Sequence, residues 1–531
     1  LSKGNIVREI DALGGQMGHL IDRTMIQFRI LNLRRGPAVQ APRAQSDKFA
    51  YSMLAKKWLE EQDNLAIFQD TVTDILTDGN GNAAGVRTER GRTISSKVVV
   101  LTTGTFMEGR IFIGEYESPS GRLGEPAALG LGTALREKGF TVGRMKTGTP
   151  ARVRRSSLDF SSMSEQPGDG QQQPFSFMTA EVQRPSVSCW ITYTSDTTHS
   201  IIRENIRRSP LYGGRIVGLG PRYCPSIEDK VVRFPDRERH QIFVEPEGLD
   251  TEEMYLNGIS SSLPEEVQEQ FIHSIPGLEE AEIMRPGYAV EYDYLDPTQL
   301  FPSLETKRIP GLFVAGQTNG TSGYEEAAGQ GLLAGLNAAR RLQGNSPIIL
   351  SRSEAYIGVL IDDLVTKGTT EPYRMFTSRA EYRLNLRHDT ADQRLTPIGW
   401  QAGLAERERM ERLEEKLHQI GEIRELLKAG SISGQSWLQH LRRPEVEISG
   451  AVGDIEALKR YAPGILRQVE LEIKYEGYIA RQQRQVNRFS RMERIRIPAD
   501  FDYNAVEGIS SESREKFNRI RPVSVGQASR I

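Results

Sequence analysis

Apolar and polar positions change period along the chain, and those changes divide it into three kinds of stretch. Over the first 150 residues, short apolar runs of strand type alternate with helical runs. Residues 65–68 and 72–76 predict strands, Asp78-Gly79-Asn80-Gly81-Asn82 predicts a hairpin turn, and 84–88 the returning strand. Gly79, Gly81 and Gly85 imitate a dinucleotide-binding glycine pattern, but a strand rather than a helix follows them, so the pattern is discounted. Residues 97–101, "KVVVL", predict a short buried strand running into "TTGT". Such a turn lets backbone approach a nucleotide closely, and equally well only turns the chain. From 151 to 276 the character changes. "SSMSEQPGDGQQQPFSFM" predicts a loop, and "SCWITYT" and "HQIFVEPEG" predict strands in what reads as an inserted domain.

The first rhythm then returns, with a buried strand at 312–315, a glycine-rich turn and a helix over about 324–341. The start of that helix offers unpaired N–H groups and a positive dipole end, a seat for a pyrophosphate or an electron-rich flavin ring. Gly320, Gly323, Gly329, Gly331 and Gly335 leave room for a ligand or for tight helix–strand packing. From Ser351 onward the chain is helical and charged, as in "LAERERMERLEEKLHQIGEIRELL", with a flexible stretch expected at "AGSISGQS". The expected fold class is α/β: 1–148 with 277–345 form one domain, 149–276 are inserted into it, and 346–531 are helical.

Composition narrows the chemistry. Two cysteines in 531 residues build no disulfide framework, and neither has metal-ligand spacing. The scattered histidines also lack such spacing, so no metal is expected, and a reducing cytoplasm is. No apolar run reaches the length of a membrane span. The chain begins without methionine inside an amphipathic helix and breaks off at "SVGQASRI", so further residues are expected at both ends. Neither a GxSxG elbow nor a Walker A sequence occurs.

Cys224 lies in the punctuated loop "GPRYCPSIEDK". Arg222 and Lys230 favour its thiolate, whereas Glu228 and Asp229 oppose it. It reads as a nucleophile or proton donor, or as a small filler beside Tyr223. Cys189, next to Trp190 on a predicted strand, is expected in the core.

A net charge of −2 gives no global attraction for nucleic acid, so any basic surface must be local. Arg481, Arg484, Arg488 and Arg491 recur every three or four residues and share one helix face. Tyr475, Tyr478, Ile479, Gln482, Val486 and Phe489 are expected to face inward beneath them. The arginines would track phosphates, or form a solvated charged face. "EPYRMFTSRAEYRLNLRHD" mixes Arg374, Arg379, Arg383 and Arg387 with Tyr373, Phe376 and Tyr382, which suits an unpaired base. There Glu371, Glu381 and Asp389 balance the charge and weaken that reading.

Several long stretches carry a family resemblance. "DALGGQMGHLID", "IQFRILNLRRGPAVQAPRAQSD", "MKTGTPAR", "GPRYCPSIEDKVVRF", "FVEPEG", "RPGYAVEYDYLDP", "AGQTNGTSGYEEAAGQGLLAGLNAA", "TKGTTEPYRMFTSRAEYRL" and "KYEGYIARQQ" together resemble the tRNA uridine 5-carboxymethylaminomethyl modification enzymes, the MnmG or GidA family. The resemblance runs from end to end. It implies a glutathione-reductase-like FAD-binding domain with an inserted NAD-binding domain, followed by an α-helical C-terminal domain. It implies FAD contacts at Val72, Gly316 and Gln317. The NADH segment it implies comprises Gly220, Pro221, Arg222, Tyr223, Cys224, Pro225, Ser226, Ile227, Glu228, Asp229, Lys230, Val231, Val232, Arg233 and Phe234.

Cys224 matches one of the family's two catalytic cysteines. The other, with the GxGxxG turn that holds the FAD pyrophosphate, is expected before residue 1, and a module that docks a GTPase partner after Ile531. The implied activity adds an aminomethyl or carboxymethylaminomethyl group to carbon 5 of a wobble uridine, using methylene-tetrahydrofolate, in a cytoplasmic homodimer with tRNA and the GTPase as partners. Three other readings stay open: a folate- and FAD-dependent tRNA uracil methyltransferase, a small-molecule flavin oxidoreductase, or an RNA-binding scaffold with a vestigial flavin fold.

Overall fold

The computed structural model describes residues 3–222, 225–498 and 500–531. Its centre is a pairing between strands far apart in sequence. Val99–Leu101 runs parallel to Leu312–Val314, in the register Val99 with Leu312 and Leu101 with Val314. Leu312, Phe313 and Val314 are fully buried, as expected of a short parallel strand covered on both faces. Helices Lys3–Ala12, Tyr324–Leu342 and Tyr356–Lys367 pack around the pair through Ile6, Ile10, Leu333, Ile357 and Leu360.

Three antiparallel sheets surround this centre. The Val72–Thr77, Ala83–Thr88 and Thr93–Ser95 strands form a meander, joined to the centre where the Ala83 N–H donates to Pro310 O at 2.9 Å. A second sheet has the order Val142–Thr149, Tyr288–Leu295, Arg110–Ile113, Tyr116–Ser118. The third has six strands, in the order Ser164–Gln166, Cys189–Tyr193, Gln241–Pro246, Glu253–Asn257, Arg152–Arg154, Ile283–Arg285. It has its own core of Val153, Ile202, Ile242, Val244, Leu256 and Phe271.

Beyond residue 390 the chain is helical, with Ala391–Gln401, Arg407–Ala429 and Pro463–Arg494 as its long members. Ile423, Leu427, Trp437, Leu441 and Val469 form the core there. Among the described residues, no helix is long and apolar enough to cross a membrane.

Local backbone expectations fail in three places. The expected loop "SSMSEQPGDGQQQPFSFM" contributes the Ser164–Gln166 edge strand, paired with Cys189–Tyr193. Residues 65–68 form no strand: Leu65, Ile67 and Phe68 are exposed, and the side chains of Arg90 and Arg92 lie over the Phe68 ring. An apolar run becomes a strand only where a neighbour offers a ladder, and none pairs with this one. The "AGSISGQS" stretch, expected to be flexible, folds into a hairpin with Ser431–Ile432 against Gln435–Ser436.

Buried carboxylates tie the first helix to the rest. Glu9 accepts hydrogen bonds from the Tyr356 and Ile357 N–H groups at 2.9 and 3.0 Å, filling the open end of the Tyr356–Lys367 helix, and also pairs with Arg394. Asp11 pairs with Arg409 at 2.8 Å and accepts from the Phe177 N–H. Asp22 accepts from the Phe175 and Ser176 N–H groups.

His388 sits at this junction, its carbonyl accepting from Arg8, and burial pushes its imidazole down to about 4. The unfolded chain takes up that proton near 6.5, whereas the folded chain refuses it until about 4. Stability is therefore fully present above pH about 6.5 and declines as pH falls towards 4. Urea midpoints measured across that interval should fall for the wild type and fall less for His388→Asn.

Candidate functional site

Two glycine-containing turns meet at the ends of the parallel strands. After Leu101 the chain enters 102–105, and after Val314 it enters the Gly316–Asn319 helical turn. The Thr103 N–H donates to Thr318 Oγ1 at 3.1 Å, and the two hydroxyl oxygens lie 2.9 Å apart. Gly316 adopts φ +77°, which favours glycine, and its N–H donates to Gln330 Oε1. Gln317 Nε2 donates to the hydroxyl of the buried Tyr292 at 3.0 Å, and burial holds that phenol well above its ordinary pKa. Asn319 donates to Val314 O and Gln330 Oε1, while its own buried Oδ1 receives no hydrogen bond.

The glycines of the following helix differ in purpose. Gly329 packs against Ile357, and a side chain at Gly320 would strike Thr369 and Met145. Around Gly331 and Gly335 the space is open. Glu325 and Glu326 occupy the first turn of the helix, with Lys3 2.5 Å from Glu325. Acids already compensate the positive end, so a flat electron-rich ring fits there better than a pyrophosphate. The orphaned Asn319 acceptor is consistent with FAD against this turn, and a side chain at Gly316 would press on Ala327 at 3.2 Å. Val72 stands elsewhere, half-buried at the start of the meander, on a strand packed by helix Leu131–Glu137.

The 220–234 segment is led in along the Val142–Thr149 strand. The Lys146 N–H donates to Leu219 O at 3.0 Å. Glu291 Oε1 accepts from the N–H groups of Val217 and Gly218 at 2.9 and 2.6 Å, while its Oε2 takes Arg144 at 2.9 Å. Pro221 is buried and Arg222 exposed. Tyr223 and Cys224 lie outside the described residues. Ser226 caps the Ile227–Arg233 helix by accepting from the Asp229 N–H. Glu228 is fully buried, and its Oε1 accepts from Ser262 N at 2.8 Å and from the Ser261 and Ser262 hydroxyls. Asp229 accepts from Tyr212, and Lys230 donates to Gly258 O. Val231 is buried, whereas Val232, Arg233 and Phe234 are exposed. The acids that sequence reasoning set against a Cys224 thiolate are thus engaged by Ser261, Ser262 and Tyr212. Cys189 is fully buried, and burial pushes its thiol up to about 12.

Arg481, Arg484, Arg488 and Arg491 lie exposed on the Pro463–Arg494 helix. Beneath them the apolar set does not close as expected: Tyr478 is 60% and Phe489 46% exposed, because this end of the helix extends beyond Ile473, the last of its residues in the core.

The second arginine stretch lies against the glycine turn. Tyr373 N–H donates to Gly320 O and Ser322 N–H to Tyr373 O, each at 2.8 Å. Tyr373 is buried and donates to Asp363, with the Arg379 guanidinium 4.3 Å above its ring. Arg387 is buried against Asp389. Tyr373, Arg374, Arg379, Thr369 and Glu371 line a cavity of about 250 Å³ beside the turn. Sequence reasoning did not join this stretch to the turn, because the pairing spans fifty residues and no periodicity announces it.

Comparisons with known proteins cover the whole chain. The family described as glucose inhibited division protein A matches residues 1–346. The C-terminal helical domain and the C-terminal helical bundle of tRNA modifying enzyme MnmG/GidA match 407–483 and 485–531. Proteins named tRNA uridine 5-carboxymethylaminomethyl modification enzyme MnmG are similar: that of Borrelia garinii subsp. bavariensis is 56% identical over 545 residues, with 100% of this chain and 88% of the relative covered. That of Treponema denticola is 56% identical, with 100% and 89% covered. Among solved structures, Aquifex aeolicus GidA in its form I crystal superposes with a TM-score of 0.92 at 50% identity, covering 100% of this chain and 89% of that one.

Removing Glu291 would release the backbone of 217 and 218 and take from Arg144 one of its two carboxylates. Glu291→Ala should therefore lose about 3–5 kcal/mol of stability by chemical denaturation, the range for breaking a buried charged pair. A loss below about 1 kcal/mol, the typical effect of an exposed pair, would show that the loop is held by other contacts.

Proposed function

From a chain that belongs to the GidA family, we propose an FAD-dependent enzyme that builds a carboxymethylaminomethyl or aminomethyl group on carbon 5 of a wobble uridine in tRNA. The continuity of the likeness from the first residue to the last is the observation that carries this reading. In the proposal, 1–148 with 277–345 form the FAD-binding domain, 149–276 bind NADH, and 346–531 serve tRNA and partners. A GTPase partner and methylene-tetrahydrofolate as one-carbon donor complete the system, which works as a homodimer in the cytoplasm.

Val72, Gly316 and Gln317 would hold FAD, with Gln317 aimed by Tyr292. Residues 220–234 would hold NADH, and FAD bound at the turn would supply redox chemistry for the one-carbon unit. Carbon 5 of uracil is a poor nucleophile. A thiolate of Cys224 adding to carbon 6 forms the S–C6 bond and sends the C5=C6 electron pair towards O4, leaving an enolate that reacts at carbon 5. Removal of the carbon-5 proton by a base, with departure of the thiolate from carbon 6, then restores the C5=C6 double bond. Cys224 as a general acid or base remains the alternative role for the same residue. The exposed arginines of the Pro463–Arg494 helix would contact tRNA phosphates.

Full-length protein with its GTPase partner, unmodified tRNA, FAD, NADH, GTP, methylene-tetrahydrofolate and glycine should yield modified wobble uridine on nucleoside mass analysis. Cys224→Ser should yield none. Equal product from both would return Cys224 to a filler role, and no product while tRNA still binds would favour the scaffold reading.

The arginine face gives a separate expectation. Replacing Arg481, Arg484, Arg488 and Arg491 with alanine should flatten the slope of log affinity against log salt by about three, at ~0.7–0.9 for each phosphate that is no longer neutralised. An unchanged slope would make the face solvated surface only.

A further inference from the structure

Buried and half-buried charges chain the C-terminal end of the molecule to the glycine turn. Asp362 and Asp363 are neighbours on the Tyr356–Lys367 helix. Asp362 takes Arg530 through two hydrogen bonds of 2.8 Å, Nε to Oδ2 and Nη2 to Oδ1. Arg530 also pairs with Glu493, near the end of the Pro463–Arg494 helix, and the Ser524 hydroxyl donates to the same carboxylate. Asp363 is 3% exposed and accepts from the Tyr373 hydroxyl at 2.8 Å. Tyr373 in turn exchanges backbone hydrogen bonds with Gly320 and Ser322, which lead out of the Gly316–Asn319 turn.

Arg352 joins the two carboxylates. Its Nη1 lies 3.0 Å from Asp362 Oδ2 and 2.7 Å from Asp363 Oδ1, while its Nη2 donates to Arg379 O and to Glu381. Asp362 Oδ2 is thus shared between Arg352 and Arg530. With Arg530 in place, Asp362 has a bidentate partner of its own and Arg352 stays closer to Asp363. Without Arg530, Asp362 retains Arg352 and a Thr366 hydroxyl at 3.4 Å. A largely buried carboxylate draws on the nearest cation, since an unpaired charge there is strongly unfavourable. Arg352 would shift towards Asp362, carrying the Arg379 carbonyl with it, and Asp363 would lose its shortest cation contact. Lys367 and Arg379, at 3.3 and 3.9 Å from Asp363, line the cavity beside the turn and would close on Asp363 instead. One guanidinium between two carboxylates therefore has two arrangements, and Arg530 selects between them.

We propose that Arg530 is a positioning residue of the flavin seat. Through Asp362, Arg352, Asp363 and Tyr373 it holds residues 320–322 where the turn accepts FAD. This differs from simple attachment of the C-terminal bundle, to which other ties contribute. Gln527 Nε2 donates to Thr366 Oγ1 at 3.1 Å, and Lys307 Nζ to Ile520 O at 2.5 Å. Whatever draws Arg530 off Asp362 loosens the cofactor site without touching it. The inference rests on the proposed FAD seat at the turn.

The test uses full-length protein stripped of cofactor and titrated with FAD, following the quenching of flavin fluorescence. Arg530→Met should raise the dissociation constant about 5- to 50-fold, within the usual range of coupling between separate sites. Tyr373→Phe, which takes the hydroxyl from Asp363, should raise it by a similar factor. The double variant should bind no more weakly than the weaker single variant, because both substitutions cut one chain of contacts. Arg530→Lys should recover part of the affinity. Gln527→Ala, which loosens the same bundle outside that chain of contacts, should leave the constant unchanged. If Arg530→Met fails to fold, Arg530→Lys takes its place in the double-variant comparison. An unchanged constant, effects that multiply in the double variant, or an equal rise in Gln527→Ala overturns the proposal. A wild type that binds no FAD would sink the reading of the turn as a flavin seat, and the proposal with it.

Discussion

One buried carboxylate determines how residues 217–219 are held against the sheet that contains Val142–Thr149 and Tyr288–Leu295. Glu291 sits in the middle of the Tyr288–Leu295 strand, 5% exposed, and accepts from two successive backbone N–H groups as well as from Arg144. Hydrogen bonds to a charged acceptor are each worth about 1.5–3 kcal/mol, more than the neutral ladder bonds around them. The pair fixes Val217 and Gly218 against the sheet, and Lys146 N–H to Leu219 O continues the contact as a single parallel bridge between Met145 and Leu219. Gly220, Pro221 and Arg222 continue directly from that anchor. A side chain at Gly218 would come within 2.8 Å of the Met145 carbonyl carbon, so the close approach needs glycine there.

The same logic recurs where the N-terminal helix meets the helical half. Glu9, Asp11 and Asp22 satisfy backbone N–H groups from segments more than 150 residues away, and Arg394 and Arg409 neutralise two of them. Arg352 is held by Asp362, Asp363 and Glu381, and Arg530 reaches the same Asp362. These ties are specific rather than merely adhesive, since a buried charge tolerates only the arrangement that pairs it. They place the cavity beside Tyr373 against the Gly316–Asn319 turn, because Asp363 holds both Arg352 and the Tyr373 hydroxyl.

What the sequence made legible follows from the range of the interactions. The Val72–Thr77 and Ala83–Thr88 hairpin, the Leu312–Val314 strand and the Tyr324–Leu342 helix are encoded by local period and turn chemistry, and their expected bounds differ from the observed ones by a residue or two. Residues 65–68 carried the same apolar signal without a ladder partner, so the signal alone misled. Tyr478 and Phe489 had helical spacing but no core to face, since spacing reports a shared side and not what covers it. The pairing of Tyr373 with Gly320 and the anchoring by Glu291 were illegible, as both depend on contacts made only after the sheets assemble.

Buried charge is resolved within the chain wherever it ties distant segments together. Glu9, Asp11, Glu291, Asp363, Arg352 and Arg387 are all buried or nearly so, and each has found its partners within the chain. Removing one member of such a pair leaves the other uncompensated, so each pair selects the one arrangement of the segments it joins over any that leaves a charge unmatched.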